Sequence, residues 1–115
     1  AGLGYSVYLP EILVTPYTGD LQMGPIMQCI ADQNWEKMEA RFKALQELLH
    51  SKGIKEFFAI GFCWGVWTCF KFAAKFEGFK GVVGFHPSLG ICGLFKADEA
   101  ALVESIKCPA FLCPA

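Results

Sequence analysis

Apolar residues change their spacing several times along this chain, and each change marks an element. Residues 5–9 are aromatic and β-branched and stop at Pro10, which predicts a short strand followed by a loop. Pro16, Gly19, Gly24 and Pro25 predict an irregular stretch after it. From Trp35 onward, Met38, Phe42, Leu45, Leu48 and Leu49 fall at helical spacing and form one buried stripe. Asp32 or Asn34 is placed to cap that helix, Glu36 and Glu39 suit the positive end of its dipole, and Gly53 supplies a stop.

Residues 57–62 are a continuous apolar run of strand length, as expected where helices cover both faces of a parallel strand. A second helix follows, with Val66, Phe70, Ala73 and Ala74 on one face. Residues 81–85 repeat the buried-strand signature, and a glycine-bearing loop begins at Pro87. Residues 98–106 predict a short helix with Asp98 or Ala97 near its start, and residues 110–113 a last strand. Strands alternating with helices make βαβ units. The fold class expected is α/β, a parallel sheet with helices on both faces. Strands beginning near Tyr5, Phe57, Gly81 and Ala110 would lie in one sheet, with residues 57–62 internal.

Composition sharpens this picture. Of 115 residues, 54% are hydrophobic, and the mean hydropathy is +0.38. So little polar surface implies a central piece of a larger domain, short of its outer layers, and Ala1 in place of Met agrees. A net charge of −1 offers no basic field to a nucleic acid. The longest nearly apolar run, residues 57–70, is shorter than the roughly 18–20 residues of a membrane helix and is broken by two glycines. Six cysteines show no C-x-x-C pair and no histidine at metal-ligand spacing, so neither zinc nor a disulfide framework is indicated. They read as free thiols of a cytoplasmic or other reducing compartment.

The chemistry concentrates at Gly61-Phe62-Cys63-Trp64-Gly65, between the apolar strand and the second helix. In a nucleophile elbow the strand turns abruptly into a helix, and the nucleophile stands at the tip in a strained conformation. The backbone N–H of Trp64 would then donate to an oxyanion, and the positive helix end would favour a thiolate at Cys63. A buried, inert thiol is the competing reading of the same residue, and sequence context weighs the two about evenly.

These residues resemble the dienelactone hydrolases of the α/β-hydrolase fold, whose elbow reads G-Y/F-C-x-G-G. Trp64 is similar to a eukaryotic branch with a G-F/Y-C-W-G elbow. Gly4-Tyr5-Ser6-Val7-Tyr8-Leu9-Pro10-Glu11 resembles the family's G-Y-x-V-x-x-P-D strand, and Gly19-Asp20 falls where a G-D pair often follows. His86-Pro87-Ser88 and Ile106-Lys107-Cys108-Pro109 are similar to the same branch. The resemblance spans nearly the whole chain in order and spacing. It implies Cys63 as the nucleophile and the Trp64 amide as part of the oxyanion hole. It also implies that residues 1–115 are the central part of one domain, with the first strands, the oxyanion loop and a thiol-pairing glutamate upstream and the triad Asp and His downstream. Val66 departs from the family's second elbow glycine and puts a branched side chain where the helix packs closely on the sheet.

His86 ends the strand beside the elbow and invites a role as base to Cys63, but the resemblance makes it a loop feature beside a separate catalytic histidine. His50 is expected to face its own helix C-terminus. Trp64 and Trp67 suit an apolar acyl pocket, and core or domain-interface packing at least as well; Trp67 and His86 are the pocket candidates. Glu11 reads as a loop carboxylate, and Lys37, Glu39, Arg41 and Lys43 as a solvated helix face. Two functions are therefore expected. One is hydrolysis of a small-molecule ester or lactone by the complete protein, without a cofactor. The other is a non-catalytic role, with protein partners, in a larger assembly that reuses a hydrolase fold.

Overall fold

The computed structural model describes residues 2–13, 19, 22–33, 35–87 and 98–114. Several expected features lie outside them: Pro16, Asp20, the Asn34 cap, Ser88, most of the loop after Pro87, and Ala97. The chain divides into two compact units, Ala1–Leu49 and His50–Ala115.

The first unit carries helix α1, Met23–Ala31, and most of helix α2, Trp35–Ser51. Residues 5–10 form no strand and are exposed, which corrects the strand expected at residues 5–9. Helix α1 also replaces the irregular stretch expected around Gly24 and Pro25. Both residues fall in the first turn, where backbone N–H groups have no helical acceptor, so a proline there removes no hydrogen bond. The ladder begins one residue later, with the Ile26 N–H donating to the Gln22 carbonyl at 3.1 Å. Asp32 closes α1 rather than opening α2, and its carboxylate accepts from Gln28 Nε2 at 2.8 Å. Gln33 is buried, and its amide donates to the Cys29 carbonyl at 3.0 Å. In α2 the buried stripe is Met38, Phe42 and Leu49, while Leu48 is exposed. Arg41 donates to the carbonyl of Leu13. Gly53 ends the helix with φ +80, its N–H on the His50 carbonyl at 2.9 Å.

The second unit is a run of βαβ units. Strand β1, Phe57–Phe62, leads through helix α3, Trp64–Lys75, to strand β2, Phe79–Phe85. Helix α4, Glu99–Glu104, then leads to strand β3, Ala110–Cys113. Asp98 caps α4 by accepting from the N–H of Ala100 and of Ala101 at 2.9 and 3.3 Å. Both strand pairs are parallel, and the sheet order is β1-β2-β3. Among the described residues β2 is therefore the internal strand, and β1, expected internal, pairs on one side only.

Helix α3 lies on one face of this sheet. Val66, Trp67, Phe70, Phe72 and Ala73 are buried, with Val82 of β2 beneath them. Helices were expected on both faces; among the described residues of this unit the opposite face is open, with Phe58, Ile60 and Phe62 exposed by 62%, 63% and 65%. That alternation is why β1 is not buried along its length despite its unbroken apolar sequence. Phe62 and Phe85, paired in register, stack their rings 5.2 Å apart.

Candidate active site at the strand-to-helix turn

Cys63 is the single residue between β1 and α3, at the carboxyl end of the sheet. Its backbone has φ 49 and ψ −119, outside the region that side chains favour, and it is exposed. Two hydrogen bonds fix this turn. The Cys63 N–H donates to the Phe85 carbonyl at 3.0 Å, carrying the β1–β2 ladder one residue past the strand, and the Val66 N–H returns to the Cys63 carbonyl at 3.1 Å.

Close packing explains Gly61. A Cβ there would meet the carbonyl oxygen of Gly65 at 2.6 Å and the nitrogen of Val66 at 2.7 Å, so only glycine lets the helix start this near the strand. Gly65 has open space around its Cα. The two motif glycines thus do different work.

The N–H groups of Trp64 and Gly65 are the first two of α3, and helix geometry gives them no carbonyl four residues back. The Cys63 side chain does not cap them. These donors, with the positive helix end, suit a developing oxyanion beside the sulfur.

His86 follows β2 as Cys63 follows β1. Its φ is 51, and its N–H donates to the Cys113 carbonyl at 2.8 Å. Its Nδ1 lies 3.6 Å from the Cys63 Sγ. The structure therefore brings together two side chains whose approach the strand order suggested and the family resemblance argued against. The available signal was topological: residues that directly follow two parallel strands ending in register must stand side by side.

Trp67 is 1% exposed and packs within the core under α3, with Lys71 Nζ 5.8 Å from its ring centroid, so its indole offers no open surface for a substrate. Trp64 stacks on it at 6.3 Å. His50 is exposed in the last turn of α2. Among the described residues, Cys29, Cys63, Cys69, Cys108 and Cys113 form no disulfide. Burial pushes the Cys69 thiol up to about 11, and it raises Cys108 as well. Among the described residues no three His, Cys, Asp or Glu side chains converge as a metal site would require, and no helix is long and apolar enough to cross a membrane.

Comparison with known proteins adds one finding. Searches of curated proteins and of solved structures returned no match. The family model described as the dienelactone hydrolase family matches residues 1–115. The match covers every residue, and the parallel sheet with its helices is consistent with an α/β fold: the chain belongs to the dienelactone hydrolase family.

Proposed function

We propose that the complete protein hydrolyses a small-molecule ester or lactone through covalent catalysis at Cys63. The observation that carries this reading is the conformation of Cys63: an exposed thiol at φ 49, held between a parallel strand and the first amides of a helix. Strain of this kind persists only where the surroundings over-determine it, and it gathers at reactive residues. In this reading the Cys63 sulfur attacks the carbonyl carbon, and the Trp64 N–H holds the oxyanion. Deacylation in this reading is driven by the Asp and His of a triad in the complete protein. Free thiols suit a cytoplasmic or other reducing compartment.

The test is to mix the 115-residue chain with p-nitrophenyl acetate and follow both nitrophenolate and protein mass. The expected result is one equivalent of nitrophenolate, an acetyl group mapped to Cys63, and no sustained turnover. Cys63→Ala should abolish the burst. A chain that never acquires the acetyl group would leave the non-catalytic role in a larger assembly as the better reading.

A further inference from the structure

Cys63 and His86 stand at matching positions on neighbouring strands. Phe62 pairs with Phe85 in the β1–β2 register, so the next residue of each strand comes alongside the other. Each is fixed by its own N–H, to Phe85 and to Cys113 respectively, so three strands together set the spacing. Among the described residues these two alone combine a side chain with positive φ, at 49 and 51. A residue before proline is ordinarily extended, yet His86 precedes Pro87 and is turned into the left-handed region. Both departures from ordinary backbone geometry lead to one place, where the imidazole Nδ1 faces the sulfur at 3.6 Å.

We propose that His86 is the proton acceptor for the Cys63 thiol, so that the rim of the sheet carries a thiolate–imidazolium pair that serves the acylation half of the reaction. This rests on the hydrolase reading given above, although the pair itself can form without it. With the imidazole proton on Nε2, the lone pair of Nδ1 takes the proton from Sγ, and the S–H electrons remain on sulfur. The thiolate then forms a C–S bond to the ester carbonyl carbon as the C=O π electrons move to oxygen, against the Trp64 N–H. On collapse the bond to the leaving oxygen breaks with its electron pair, and that oxygen recovers the proton from Nδ1. The products are a thioester on Cys63 and a free hydroxyl. Deacylation lies outside His86's part and belongs to the triad histidine.

The experiment measures alkylation of Cys63 by iodoacetamide in the full 115-residue chain at neutral pH, read by peptide mass spectrometry. A free cysteine is only a few per cent thiolate there, so removing the acceptor should slow alkylation about tenfold. His86→Gln and His86→Gly are compared, the glycine because φ 51 suits it and leaves room for a diffusible base. Added imidazole should restore part of the rate in His86→Gly, a response that a merely structural histidine would not give. Unchanged alkylation in either variant, or no response to imidazole, would overturn the proposal. A second measurement leaves His86 in place: the wild-type minus Cys63→Ala ultraviolet difference spectrum should contain a thiolate band at neutral pH, and its absence would equally overturn it. Acetyl transfer from p-nitrophenyl acetate separates the two readings. His86-dependent alkylation without any acetylation keeps the pair and removes the hydrolase, whereas equal acetylation of wild type and His86→Gly keeps the hydrolase and removes the pair.

Discussion

The branched side chain of Val66 is seated over Gly84: a Cβ on that glycine would lie 2.6 Å from the Val66 Cγ1 and 2.8 Å from the Leu112 Cδ2. Val66 lies in the first turn of α3 and is 0% exposed. The helix keeps its close approach because the space for the extra methyls comes from strand β2. The branched residue in the first turn of α3 is thus accommodated by a glycine eighteen residues further on.

Val66 and Gly84 should therefore be coupled in stability. Gly84→Ala overpacks the seat and is expected to cost about 1–3 kcal/mol. Val66→Ala alone should cost a similar amount, about 1–3 kcal/mol, by leaving a void. The double variant should be less destabilised than the sum, with a coupling of about 1 kcal/mol or more. Urea denaturation of the four proteins measures this, and simple additivity would mean that the two residues do not share the seat.

The two glycines of the motif should respond oppositely to alanine. Gly61→Ala places a Cβ against main-chain atoms that cannot rotate away, at an expected cost of about 3 kcal/mol or more. Gly65→Ala meets nothing, lies in the first turn of α3, and should be neutral or stabilising by up to about 1 kcal/mol. The same denaturation curves decide it.

Strain at Cys63 should be visible as stability gained when it is released. Glycine adopts φ 49 freely, so Cys63→Gly should melt above Cys63→Ala, with a difference of about 1 kcal/mol. Cys63→Val, branched at Cβ, should melt lowest of the three. If the three variants melt together, the backbone at this turn is not strained.

Cys69 should make the fold sensitive to alkali. Its thiol is raised by burial from an ordinary 9.0 to about 11, so between those values the folded chain holds a proton that the unfolded chain has lost. Stability due to the neutral thiol is then full below pH 9 and falls as pH rises toward 11. Cys69→Val should flatten this part of the stability profile. In mildly alkaline buffer, iodoacetamide should also label the exposed Cys63 well before Cys69.

Periodicity and end signals were enough to locate α2, β1, α3, β2, α4 and β3, because each rests on local physics: an apolar stripe, a glycine stop at Gly53, an aspartate cap at Asp98. The positive φ of Cys63 was also legible, since a strand running straight into a helix within one residue leaves few alternatives. Local signals failed where they were ambiguous. Gly24 and Pro25 disfavour a helix interior but not a first turn, and β-rich residues 5–9 need a partner strand that the sequence cannot supply.

What the sequence determined by itself was the succession from α2 to β3, the abrupt strand-to-helix turn at Cys63 and the family that these residues resemble. Tertiary structure alone decided which described strand is internal, that Trp67 goes to the core, that Gly84 makes room for Val66, and that His86, which the sequence placed beside the turn, comes within 3.6 Å of Cys63. Each of these depends on residues far apart in the chain. Their distance is fixed by strand register and helix packing, and spacing along the sequence carries no measure of either.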